Sequence, residues 1–242
     1  MPHTDSTQLE LSAGTASNMI EHFFPQQAVP AWKRASDEEI ANTITHGFGL
    51  ALAVVGAVVM WADVAAYSNA KFAVGCAAYL FSLLAVYAMS TLSHGTTSLR
   101  WKLLFRKLDQ AFIYLLIVGS YTPYAVAYLH GGFWPILLAF MWVFALVGFA
   151  SKALFEHRVN CSSVTSYVFL GWMSIIAIPT LWHIVPAGEM AFILGGGVWY
   201  MLGILFFVND EKVRHFHAIW HLCVIAGSAC HFLGLMLYVV QA

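Results

Sequence analysis

Five side chains of the kinds that bind metals and move protons lie near the ends of apolar runs. His94 closes the second run, with Ser90 one helical turn before it. Asp109 opens the third, and His217 and His221 open the last, again one turn apart. Residues at i and i+4 share a helix face, so Ser90 points with His94, and His217 with His221. Three neutral imidazoles suit zinc, because a catalytic zinc site typically has three protein ligands and one open position for water. The ion lowers the pKa of that water to roughly 7, and a nearby carboxylate can take its proton. Asp109 is the candidate for that role; Ser90 is a candidate to hydrogen-bond the water, a ligand or Asp109. Each signal has an ordinary alternative. A histidine at a span end is more often an interfacial hydrogen bonder, histidine pairs at this spacing arise by chance, and Asp109 can simply pair with Arg106 or Lys107. Joint placement on one face of a membrane gives the set more weight than its members have alone.

Membrane helices must position these residues. The chain has 242 residues, 60% hydrophobic and 10% charged, with mean hydropathy +0.74; soluble domains carry about 25% charge. Runs of the length a bilayer needs, about 20 residues, are Thr43–Tyr67, Phe72–Ser93, Leu108–Tyr128, Phe133–Phe155, Val164–His183, Glu189–Val208 and His217–Val240. Lys and Arg favour cytoplasmic loops. With the N-terminus inside, the inner segments hold Lys33, Arg34, Arg100, Lys102, Arg106, Lys107, Lys152, Arg158, Lys212 and Arg214, and the outer segments hold only Lys71. The expectation is an all-α membrane protein: a seven-transmembrane helix bundle in the plasma (inner) membrane, N-terminus cytoplasmic and C-terminus outside. All five polar residues then sit near the cytoplasmic edge, and they converge if helices two, three and seven are neighbours. Pro123 and Pro179 fall inside their runs and are expected to kink them.

Residues 1–38 are polar, mixed in charge and contain Pro25 and Pro30. No basic segment precedes an apolar core as in a cleavable signal peptide. They are expected to form a flexible cytoplasmic tail, with 39–242 as the transmembrane domain. A net charge of −1 gives no reason to expect nucleic acid as a partner. Cys76, Cys161, Cys223 and Cys230 show no CxxC spacing and suggest neither a disulfide framework nor a thiolate metal site.

Glu39, Asn42 and His46 share one face at the start of the first span. They read as support for the metal site or, for the acid and the amide, as an N-terminal cap. His46 as a fourth ligand is the weaker option. His231 lies over two turns beyond His221, too far along the axis at 1.5 Å per residue to bind the same ion. It reads as an internal hydrogen bonder or a group along a polar cavity. Gly195, Gly196 and Gly197 read as positions where helices approach closely.

Several motifs occur together: Glu38 through Gly47 (EEIANTITHG), Ser90 through His94 (STLSH), Asp109, Gly119 through Pro123 (GSYTP), Gly171-Trp172, the triple glycine with Tyr200, and His217 through His221 (HAIWH). On these the chain resembles the hemolysin III branch of the progestin and adiponectin receptor superfamily, from Glu38 to His231. Gln110 departs from the pattern, since bacterial relatives usually have His there. The resemblance implies a bundle of adiponectin-receptor type, inverted relative to G-protein-coupled receptors, with Zn2+ bound by His94, His217 and His221 and a water near Asp109. Alkaline ceramidases of the same superfamily are similar in carrying Ser, Asp and three His. The implied chemistry is therefore hydrolysis of a ceramide-like lipid amide, with a role in membrane homeostasis. Two other functions remain open: a receptor or sensor with structural zinc, and a hemolysin-type lytic or pore protein. The spans lack a continuous polar stripe, which argues against a channel. The implied partner is a membrane lipid, and the oligomeric state stays open, a homodimer being one option.

Overall fold

The structure, a computed structural model, describes residues 36–155 and 162–240. Among these, seven helical stretches are long and apolar enough to cross a membrane, and no strand occurs. They are α1 (Ser36–Tyr67), α2 (Ala70–Gly95), α3 (Leu99–Tyr128), α4 (Trp134–Phe155), a fifth stretch made of α5 (Ser162–Met173) and α6 (Ile178–Ile184), α7 (Ala187–Phe207) and α8 (Phe216–Leu235). A 3-10 turn, Ser174–Ala177, joins α5 to α6, and a π turn, Met236–Val240, follows α8. Large apolar side chains such as Val55, Val58, Phe81, Phe140 and Val147 lie on the outside. In lipid they match their surroundings, while the helices satisfy their own backbone hydrogen bonds.

The central element is α3: 67% of its most apolar window is buried, against 50% or less for every other stretch. It packs on α2, α4, α5 and α8 and contributes to two cores. Tyr114, Val118 and Tyr121 join Met141 and Ala145 of α4 and Leu170 of α5 in one. Leu116 and Tyr124 join Met60 of α1, Tyr79 and Leu83 of α2 and Val224 of α8 in the other. Hydrogen bonds pin these contacts: Trp142 Nε1 donates to Thr122 Oγ1 (3.1 Å), Tyr167 Oη to the Gln110 carbonyl (2.8 Å), and the buried Lys152 Nζ to Gln110 Oε1 (3.0 Å). Gln110, the departure from the family pattern, thus joins α3 to α4 and α5.

Two helices start well before their apolar runs. α1 opens at Ser36, inside the stretch expected as a tail; residues 1–35 lie outside the described residues. Asp37, Glu38 and Glu39 fill its first turn, where acidic groups complement the helix dipole. α3 opens at Leu99 rather than Leu108, so Arg100, Lys102, Arg106 and Lys107 are helical. Lys and Arg are good helix formers, and hydropathy registers only the part of a helix at lipid depth. The prolines differ from each other. α3 continues as helix through Pro123. Pro179, with no N–H, cannot donate to the Ile175 carbonyl four residues back, and the chain tightens into the 3-10 turn there.

α7 and α8 meet closely at glycines. A methyl group at Gly203 would lie 2.6 Å from the Trp220 ring and 3.0 Å from Cys223 Cβ, and one at Gly196 would lie 2.6 Å from His231 Nε2, whereas one at Gly197 meets nothing within 4 Å. Of the triple glycine, then, Gly196 is the tight contact. Gly203→Ala is expected to destabilise the bundle by about 1–3 kcal/mol through overpacking, while Gly197→Ala holds or raises stability because Ala is the better helix former. Thermal unfolding of the two purified variants in detergent checks this; equal midpoints would contradict the packing described.

Candidate metal centre

Antiparallel connection of successive spans brings the start of α1, the end of α2, the start of α3 and the start of α8 to one end of the bundle. α1 packs on both α2 and α8, and α3 touches both as well. At this end His94, His217 and His221 each offer a ring nitrogen within 4.8 Å of the others. The ring centroids are 5.1 Å apart for His94–His217, 5.4 Å for His94–His221 and 4.6 Å for His217–His221.

Each ring is anchored at Nδ1. His94 Nδ1 lies 2.8 Å from Glu39 Oε2, and His217 Nδ1 lies 2.7 Å from Asp210 Oδ2. An ionised carboxylate only accepts hydrogen bonds, so both rings donate from Nδ1. His221 Nδ1 lies 3.0 Å from Thr45 Oγ1. That hydroxyl gives its own proton to the Ala41 or Asn42 carbonyl (2.9 and 3.0 Å) and so accepts from His221. Donation from Nδ1 leaves Nε2 as the lone-pair nitrogen of each imidazole in its neutral form. This is the arrangement found behind metal-bound histidines, where the outer hydrogen bond sets tautomer and orientation. Three clustered imidazole nitrogens are a donor set that fits zinc.

The remaining predicted residues fall around this triad. Glu39 is a two-sided anchor, its Oε1 held by Lys102 Nζ at 2.8 Å. Asn42 is buried and contributes its backbone carbonyl. His46 is buried and stacked face to face on His221, with centroids 3.5 Å apart and the planes inclined by 17°. It backs that ring rather than joining the set of three, and neither of its nitrogens has a partner. Ser90 is fully buried beside Asp109, and its hydroxyl closes no well-formed hydrogen bond. Asp109 makes no hydrogen bond to the three imidazoles among the described residues; its tie to the site is through Ser90, one turn from His94.

An outer belt fastens the rim. Arg214 pairs with Asp37, and its Nε lies 3.4 Å from Glu38 Oε1. The His215 N–H donates to Glu38 Oε1 (3.3 Å) from a left-handed backbone with φ 62°. That conformation is uncommon outside glycine, though His adopts it more readily than most residues. It turns the α7–α8 loop into α8 and lets Asp210 reach His217. Thr45 and Asp210 are functional candidates that the sequence reading missed. The available signal was a carboxylate seven residues before a histidine pair and a hydroxyl beside His46, but neither shows which ring nitrogen it will meet.

With this geometry in hand, comparison with known proteins is direct. The model of the Haemolysin-III related family matches residues 35–232. Hemolysin-3 of Bacillus cereus is 36% identical over 203 residues, covering 84% of this chain and 92% of that protein. The Hemolysin-3 homolog of Bacillus subtilis is 35% identical over 204 residues, covering 84% and 95%. Monocyte to macrophage differentiation factor of Homo sapiens is 25% identical over 243 residues, covering 93% and 95%. No solved structure matches the chain. The chain belongs to the hemolysin III family of multi-pass membrane proteins, within the progestin and adiponectin receptor superfamily.

Proposed function

We propose that this protein is a zinc-dependent hydrolase that cleaves a lipid amide, ceramide-like in chemistry, at one face of the membrane. The observation that carries this reading is the set of three imidazoles whose Nδ1 atoms are all engaged and which each offer a ring nitrogen within 4.8 Å of the others. His94, His217 and His221 would hold the ion. Zinc bound there supplies Lewis-acid polarisation of a carbonyl and acidifies a water.

The chain's own groups supply the rest. The Asp109 carboxylate takes the proton released as water attacks and returns it to the departing amine. The Ser90 Oγ–H, buried without a committed partner, holds that carboxylate or the substrate carbonyl in place. Depth supports a lipid substrate: His94 stands in the last turn of α2 and His217 and His221 in the first two turns of α8. That is the level at which apolar chains give way to headgroups, where a lipid amide lies. The excess of Lys and Arg at this end favours a cytoplasmic orientation in the inner membrane. The clustered partners of Glu39 argue for positioning of His94 rather than for a helix cap.

Asp210→Asn and Glu39→Gln are expected to weaken zinc binding about 10–100-fold by loosening ring orientation, read by competition with a chelating dye. Unchanged affinity in both would remove the anchoring role. Purified zinc-loaded protein is expected to release fatty acid from a lipid-amide panel. Asp109→Asn should lower turnover by about 10²–10⁴-fold at unchanged zinc content. No release across the panel by zinc-loaded wild type would count against hydrolysis and leave a sensor reading.

A further inference from the structure

Several basic side chains at the metal end of the bundle are already committed. Lys102 Nζ is held by Glu39 at 2.8 Å, and Arg214 pairs with Asp37 and Glu38. The exposed Arg100 lies with its guanidinium 5.9 Å from the centre of the Trp101 ring. Arg106 differs. It is half-buried and closes no hydrogen bond or ion pair among the described residues. In particular it does not pair with Asp109, the acid one turn along its own helix.

Its place on α3 follows from its neighbours. Lys102, Arg106 and Asp109 stand at i, i+4 and i+7, which puts them on one helix face. Lys102 reaches Glu39, the anchor of His94. Asp109 lies beside Ser90, one turn from His94. Arg106 stands between these two fixed contacts and bears electrostatically on both Asp109 and His94. At 1.5 Å per residue its Cα is about 4.5 Å nearer the start of α3 than that of Asp109, on the side away from the apolar middle.

A guanidinium stays charged in proteins and offers five N–H donors in a planar fork. Its best counterparts are carboxylates and phosphates, each able to take two of those bonds. With no such group on the chain beside it, Arg106 has that capacity left for an anion carried by the substrate. Position selects which anion. A lipid with its amide at the three histidines sends its acyl chain toward the apolar middle and its headgroup toward the start of α3. A phosphate joined to the amide nitrogen through a two-carbon link lies about 5 Å from it, with bonds near 1.5 Å. That matches the step from Asp109 to Arg106. The carboxylate of the fatty-acid product forms at the carbonyl carbon instead, beside the histidines.

We propose that Arg106 binds a headgroup phosphate, so that the substrate is an anionic N-acyl lipid with a phosphate a few bonds from its amide. The inference rests on the lipid-amide reading of the metal centre. Arg106 is a specificity-determining residue: it holds the headgroup and takes no part in binding the ion or moving a proton.

The test is lipid binding by the purified, zinc-loaded full-length chain in detergent, read by native mass spectrometry. The probes are ceramide and ceramide 1-phosphate with identical chains, which differ only in the phosphate. Wild type is expected to bind the phosphorylated probe about 10–100-fold more tightly, and Arg106→Gln, at unchanged zinc content, to bind the two alike. Equal affinity of wild type for both probes, or a preference that survives in Arg106→Gln, would overturn the proposal. Inorganic phosphate separates a lipid headgroup from a free anion. At the concentration of the lipid it should leave the wild-type preference in place; displacement of ceramide 1-phosphate by it would contradict a lipid-borne anion. Fatty-acid release is scored on the same samples. A binding preference without hydrolysis of either probe would sink the hydrolase reading and leave the headgroup site standing.

Discussion

Each of the three imidazoles at the metal centre is held by a hydrogen bond from Nδ1, and two of those bonds cross from one membrane helix to another. His94 on α2 and His221 on α8 are both fastened to α1, through Glu39 and Thr45. The third, His217, is fastened to the loop before its own helix through Asp210. α1 is thus both a structural bridge and the element that sets ring orientation. Removing its first turn would release His94 on α2 while His221 on α8 stayed fastened to Thr45, so the two rings would lose their common reference. The acidic run Asp37–Glu39 strengthens this by gripping Arg214, Lys102 and His94 at once. Charge-assisted hydrogen bonds of this kind are stronger than neutral ones, and here they lie at one end of the bundle rather than in its apolar middle.

Much of the architecture was legible in the sequence because lipid imposes a simple rule: about 20 apolar residues per crossing. The seven stretches and the grouping of His94, His217 and His221 at one end follow from that rule and from antiparallel connection. What hydropathy could not show was helix outside lipid depth. The first turn of α1 is polar, and the first two turns of α3 set Arg100 and Lys102 among apolar residues, so neither reads as part of an apolar run, yet they carry Glu39 and Lys102. Nor could it show Thr45 and Asp210, since a hydrogen bond to a particular ring nitrogen depends on how three helices are rotated against one another.

The buried polar groups away from the metal centre illustrate a different gap. No span has a continuous polar stripe. Instead α2, α3, α7 and α8 contribute a few groups each, Tyr79 and Tyr87, Tyr124 and Tyr128, Glu189 and Tyr200, Ser228 and His231, and only packing brings them into local contacts such as Tyr128–Glu189 and Tyr200–Ser228. Inspection of one helix at a time sees isolated tyrosines, which are ordinary core residues. The bundle therefore holds a histidine cluster at one end and a buried acid at the other, with α3 passing both.

The central claim is that three Nδ1-anchored histidines form one zinc site. Metal analysis of purified wild type beside His217→Ala tests it most directly. The account predicts stoichiometric zinc in wild type and its loss in the variant. Equal metal in the two proteins would contradict it.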